Sequence, residues 1–124
     1  MSGELILVVD DNPSNLKLME VLLTASAYVV RMAANAEETL SILRDCQPRL
    51  ILMDIQLPGM DGLALTRRLK ADPGTREVPI VILTACATSD VWEEALASGC
   101  AGYMTKPINS RSLASDIERY LHSL

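Results

Sequence analysis

The sequence predicts an α/β protein whose parallel sheet is covered by helices on both faces. Three observations lead there. Short apolar runs rich in β-branched residues recur along the chain. Each is followed by a segment with apolar residues at helical spacing. The runs do not alternate apolar with polar, which is the mark of strands buried on both faces. The pair of elements repeats five times, and no linker, internal repeat or low-complexity tract interrupts it.

The first strand is LILVV at 5–9. A helix over 13–26 follows, with Pro13 at a position that tolerates it and Leu16, Met19, Leu22 and Leu23 on one face. YVVRMA at 28–33 is a shorter strand, and 36–46 is helical with Ala36, Leu40 and Leu43 inward. RLILMD at 49–54 is a strand that stays apolar until its last residue. The helix over 62–72, which Asp61 can cap, stops at Pro73-Gly74. PIVILTA at 79–85 is the fourth strand, and Gly99 suits a left-handed stop for a helix over 90–99. GYMT at 102–105 is the fifth strand, and a helix over 110–124 presents Leu113, Ile117, Tyr120 and Leu121 on one face.

The totals bound the function. At 124 residues and 49% hydrophobic, the chain fits one domain with one good core, expected over residues 1–124 with no output domain. The net charge of −5 argues against nonspecific nucleic-acid binding, so no DNA partner is expected. No apolar run approaches the roughly 18 residues of a membrane span. The N-terminal stretch has no basic segment ahead of a long apolar one, so neither a signal peptide nor a membrane partner is expected. Cys46, Cys86 and Cys100 have no C-x-x-C spacing, and reduced, mostly buried thiols in a cytoplasmic protein are expected.

In an open α/β sheet, ligands sit at the carboxyl ends of the strands. Strand one runs into Asp10-Asp11, strand three into Asp54, strand four into Thr84 and strand five into Thr105-Lys106-Pro107. Were these strands neighbours, three carboxylates, a hydroxyl and an ammonium would converge. Carboxylates crowded together repel, and burial sharpens the repulsion. One lysine is too little cation, and a hard dication suits an all-oxygen site. Mg²⁺ is therefore expected, held in part by Asp10 and Asp11, with Mn²⁺ a possible substitute. Asp54 beside such a metal and Lys106 can attack a phosphoryl group. The cations would neutralise the transferring oxygens, and Thr84 would donate to one of them. Taken singly, an aspartate or threonine at a strand end is ordinarily a turn or cap residue and a lysine is ordinarily solvated. Their joint placement carries the argument.

The stretches VVDDN, LILMDIQLPGMDG, VILTA and GYMTKPI closely resemble the receiver domains of bacterial two-component response regulators, in order and over the whole chain. The resemblance implies a flavodoxin-like three-layer fold with strand order 2-1-3-4-5, helices one and five on one face and two, three and four on the other. It implies that Asp54 is the phosphoacceptor and that Asp10, Asp11 and Asp54, with the Gln56 backbone carbonyl, hold the metal. It makes Lys106 the phosphate-pairing lysine, with a cis Lys106–Pro107 bond, and Thr84 and Tyr103 the switch pair. The implied partners are a histidine kinase or histidine phosphotransfer protein and a downstream protein target. The target would bind a surface of helix four, strand five and helix five, in a chain that is a monomer or a phosphorylation-dependent dimer. No turnover of a separate substrate is implied. DDNPSNL resembles hybrid-kinase, phosphorelay and stand-alone receivers, which would dock a donor on the first helix, although Pro13 and Asn15 also suit an ordinary helix start. Pro58-Gly59 suits a type II turn, and Cys86 and Gln56 stand where the family tunes access to the phosphoryl group.

Trp92, one position past the expected inward Val91, should lie at the edge or outside of helix four, where an exposed indole can anchor a partner or lie flat over its neighbours. His122 reads as a solvated helix-end residue. Competing readings are an aspartyl-phosphate phosphatase of the haloacid dehalogenase type, a nucleotide-binding module, and a receiver cut from a larger protein such as a hybrid kinase. The first needs an aspartate two residues after the nucleophile, where this chain has Gln56. The second needs a glycine-rich first loop, where this chain has DDNPSN.

Overall fold

A computed structural model of the chain describes residues 3–57, 60–85, 88–106 and 108–122, excluding the side chains of Gln56, Leu57, Met60 and His122. Among the described residues, the five strands of the main sheet are interleaved with five helices. They are β1 (Leu5–Val9), α1 (Pro13–Ala25), β2 (Val29–Ala33), α2 (Ala36–Asp45), β3 (Leu50–Asp54), α3 (Gly62–Ala71), β4 (Ile80–Thr84), α4 (Ser89–Ala97), β5 (Gly102–Thr105) and α5 (Leu113–His122). The strands form one parallel sheet in the order β2-β1-β3-β4-β5, as the resemblance implied.

Strand side chains alternate between faces, and the core divides accordingly. Leu7, Val9, Ile51, Met53, Ile80 and Ile82 face α2, α3 and α4, meeting Ala36, Leu63, Leu65, Leu69 and Ala95. Ile6, Val8, Leu50, Leu52, Val81 and Leu83 face α1 and α5, meeting Met19, Leu23, Leu113, Ile117 and Leu121. This gives the three expected layers. Both sets being apolar is what erased alternation from the sequence.

Several local expectations need correcting. On α2, Ala36, Leu40 and Leu43 do pack against the core, but the most deeply buried residue is one not anticipated, Thr39. The Thr39 hydroxyl donates to the Asn35 carbonyl (2.8 Å), which leaves its methyl free to pack. The last helix starts at Leu113 rather than 110, because the Asn109 side chain accepts from the Arg111 N–H (2.9 Å) and holds 110–112 in a turn. A small antiparallel pair, Gln56–Leu57 with Met60–Asp61, was not anticipated. Cys46 and Cys100 are half-buried rather than buried, and both are free thiols. The expectations for Pro58-Gly59, Cys86 and Pro107 lie outside the described residues, as does the one for the His122 side chain.

Helix ends follow their chemistry. The Asn12 side chain caps α1, accepting from the N–H groups of Ser14 (2.9 Å) and Asn15 (3.3 Å). Asp61 caps α3 through the Leu63 N–H (2.9 Å), as expected. Gly99 ends α4 at φ 92°, also as expected. α1 closes with Ala27 at φ 70°, a backbone region that favours glycine. Two bonds close that turn, Ala27 N–H to the Thr24 carbonyl (3.0 Å) and Tyr28 N–H to the Leu23 carbonyl (3.1 Å).

Candidate functional site

The site is assembled by strand ends. β1 delivers Asp10, whose N–H still bonds the Ala33 carbonyl of β2 (3.0 Å). β3 delivers Asp54, in register with Leu83 of β4. β4 ends on Thr84, whose carbonyl accepts from the Lys106 N–H just past β5 (2.8 Å). Strand order thus brings together residues separated by up to 96 positions, Asp10 to Lys106.

Carboxylate oxygens of Asp10, Asp11 and Asp54 lie within 4.8 Å of one another. Asp10 is fully buried, Asp54 is 4% exposed, and Asp11 is open to solvent. Lys106 Nζ lies 3.0 Å from Asp54 Oδ2 and 3.2 Å from Asp10 Oδ2, bridging the two buried acids. Burial opposes the lysine's charge, but its hydrogen bonds and the attraction of Asp54 and Asp10 outweigh it, so its pKa is raised and it stays protonated.

Three carboxylates and one ammonium leave two negative charges on a cluster made wholly of oxygen donors. That donor set fits Mg²⁺, which prefers oxygen and one or two carboxylates among its ligands. Two residues past Asp54, the Gln56 main chain pairs with Asp61.

One residue escaped the sequence analysis. A Cβ on Gly62 would lie 2.0 Å from the Asp54 carbonyl oxygen and 2.6 Å from the Ile55 Cα. The first turn of α3 therefore rests on the backbone that carries Asp54, and the Gly62 N–H bonds the Ile55 carbonyl (2.8 Å). The signal was the glycine itself, directly after a capping aspartate and at a helix start, where its conformational freedom is not needed.

Thr84 is buried, and next to it Trp92 and Tyr103 stack with ring centres 4.3 Å apart and planes tilted by 52°. Trp92 is half-buried at the edge of α4, not an open anchor. The void enclosed by Ile82, Thr84, Val91, Trp92, Ala95 and Tyr103 is about 10 Å³, room for one water at most. An open groove of about 580 Å³ runs along β5 and α5, with Tyr103, Ile108, Asp116 and Tyr120 among its walls.

The sequence matches the model of the response regulator receiver domain over residues 6–118. The chain belongs to the response regulator receiver family. Membership makes it a two-component signalling domain and implies phosphorylation-dependent signalling. Among curated relatives, it is 39% identical over 116 residues to the polar-differentiation response regulator DivK of Brucella anthropi, covering 94% of each chain. It is 41% identical over 104 residues to the response regulator PleD of Caulobacter vibrioides, covering 84% of this chain and 23% of that protein. Among solved structures, the chemotaxis response regulator CheY4 of Vibrio cholerae superposes with a TM-score of 0.90 at 25% identity, over 96% of this chain and 99% of that one. The receiver domain of the sensor histidine kinase PA1611 from Pseudomonas aeruginosa, solved with a magnesium ion coordinated in its active-site cleft, gives 0.87 at 33% identity, over 97% and 98%. Receiver domains generally bind Mg²⁺, and the aspartate cluster is where this chain can hold one. Among the described residues no helix is long and apolar enough to cross a membrane.

Proposed function

We propose that the chain is a phosphorylation-dependent switch. It takes a phosphoryl group onto Asp54 from a histidine kinase or histidine phosphotransfer protein, and its α4–β5–α5 surface then controls a partner protein. The observation that supports this most is the bridge: one ammonium between two buried carboxylates, with a third carboxylate in solvent beside them.

An Asp54 carboxylate oxygen attacks phosphorus, and the phosphorus–nitrogen bond to the donor imidazole breaks. The electron pair returns to the ring nitrogen, and the proton on the other nitrogen of the donor's phosphoimidazolium stays on the ring, leaving neutral histidine. Lys106 pairs with an oxygen of the transferred group as its bond to Asp54 is released. The Thr84 hydroxyl donates to another phosphoryl oxygen. Asp10, Asp11, Asp54 and the Gln56 carbonyl would hold Mg²⁺, or Mn²⁺ in its place, supplying neutralisation of charge on the transferring oxygens.

Phosphorylation adds negative charge at Asp54. As Thr84 turns toward it, space opens behind Tyr103, and the ring leaves its stack with Trp92 to fill that space. The β5–α5 groove changes shape with the ring, and the population of the partner-binding surface rises only by the difference in phosphoryl stabilisation between the two states. No separate substrate is turned over. The match to DivK over 94% of both chains supports reading residues 1–124 as a receiver unit. The PleD match, over 23% of that protein, supports the alternative of a receiver that works within a longer chain.

The test is intact mass after incubation with acetyl phosphate and Mg²⁺. The wild type should gain about 80 Da, one phosphoryl group, and only with the metal. Asp54→Asn should gain nothing, and equal labelling of that variant would exclude Asp54 as the acceptor.

A further inference from the structure

The start of α1 is wired differently from an ordinary capped helix. In a capping box, the third helical residue reaches back to the backbone N–H of the cap residue. Here the cap is Asn12 and the third residue is Asn15. The Asn12 N–H goes instead to Asp10 Oδ1 (2.9 Å), and the Asn15 amide Nδ2 also reaches past the cap to Asp10, at Oδ2 (3.4 Å). Asp10 has thus taken the usual place of the third residue, and Asn15 supports Asp10.

The consequence falls on the acidic cluster. Asp10 has no solvent-exposed surface, and its two oxygens receive three donors, Asn12 N–H, Asn15 Nδ2 and Lys106 Nζ. Lys106 also serves Asp54, so its hold on Asp10 changes when a phosphoryl group arrives. Asn15 has no such second duty toward the acids and belongs to the same helix turn as the cap. A glutamate or glutamine would satisfy a capping box at this position. Glutamate would add a fourth carboxylate, whereas an amide adds only donors and acceptors without charge.

We infer that Asn15 is a positioning residue for the metal site. Its amide fixes the Asp10 carboxylate in the orientation that places it within reach of Asp11 and Asp54, as outer-sphere hydrogen bonds do for metal-ligating carboxylates. This rests on the Mg²⁺ reading above.

The experiment is calorimetric titration of the purified full chain with MgCl₂, without any phosphodonor. Asn15→Ala should weaken Mg²⁺ binding about tenfold, the lower end of what losing an outer-sphere partner costs. Asn15→Gln, which keeps the amide donor, should recover most of it. Asn15→Leu fills the same volume without a donor and should match Asn15→Ala, which keeps the test intact if the alanine variant folds poorly. Wild-type affinity in Asn15→Ala or Asn15→Leu overturns the inference, as does Asn15→Gln binding as weakly as Asn15→Ala. A wild-type chain that takes up no Mg²⁺ at millimolar concentration overturns the metal reading and this inference together. Wild-type uptake with an indifferent Asn15→Ala overturns the inference alone.

Discussion

The middle of the sheet and its two edges are built to different standards. β3 and β4 bury every residue from end to end. β2, at one edge, buries only Ala33 and leaves Val29 50% exposed. β5, at the other edge, buries only Gly102. The buried acid Asp54 and the buried hydroxyl Thr84 sit on the central strands, while Tyr103 and Lys106 ride on or beside the edge strand β5. A carboxylate kept out of water needs surroundings that do not relax, and close-packed central strands supply that. Under the proposed switch, a ring and a lysine would change partners, and an edge strand has the slack for it.

That contrast can be broken most sharply by truncation. Ile82→Ala, in the centre of β4, should cost about 2–5 kcal/mol by the usual cavity penalty for a buried isoleucine. Val29→Ala on the β2 edge should cost no more than about 0.5 kcal/mol, as exposed positions do. Urea melts of the two variants check the pair, and comparable losses would mean the edge is as tightly built as the centre.

A smaller effect should come from the one point where a helix touches the central backbone directly. Gly62→Ala pushes a methyl into the Asp54 carbonyl and Ile55. It should lose about 1–3 kcal/mol, the ordinary penalty of overpacking. Because the displaced atoms carry Asp54, the proposed acceptor, acetyl-phosphate labelling should slow as well. Normal labelling in a destabilised Gly62→Ala would show that the Asp54 side chain does not depend on its own backbone position.

The smallest effect lies at the α1–β2 turn, on the edge side. Ala27 holds a left-handed backbone that costs a residue with a Cβ roughly 1–2 kcal/mol. Ala27→Gly relieves that strain but gives the unfolded chain more freedom. The net should be a gain of about 0.5 kcal/mol, visible as a higher midpoint with unchanged denaturant slope. A loss of stability would mean the alanine methyl is packed and useful there.

How much of this the sequence disclosed follows the same division. The central strands announced themselves because residues such as Ile51, Met53, Ile80 and Ile82 are apolar on both faces. The site announced itself because Asp10, Asp54, Thr84 and Lys106 are polar residues ending such runs. Edge detail was harder to see. β2 mixes Val29, Arg31 and Met32, and nothing in that pattern says which of them meets solvent. Thr39 looked polar although its hydroxyl bonds within its own helix, and residues 110–112 looked like part of a helix although the Asn109 side chain delays the start of α5. The contact of Gly62 and the hydrogen bond from Asn15 to Asp10 were not legible for another reason. Each acts through a neighbour distant in kind, one by the absence of a side chain, the other by an amide turned away from its own helix.

A last consequence comes from the stacked ring pair. The chain has one tryptophan among its 124 residues, and it rests on Tyr103. Its indole emission, excited apart from that of its three tyrosines, therefore has a single source, with the Tyr103 phenol against it. Any change in how that phenol sits alters the brightness and colour of the indole's light, so the unlabelled protein carries its own optical gauge beside the site where the proposed switch would act.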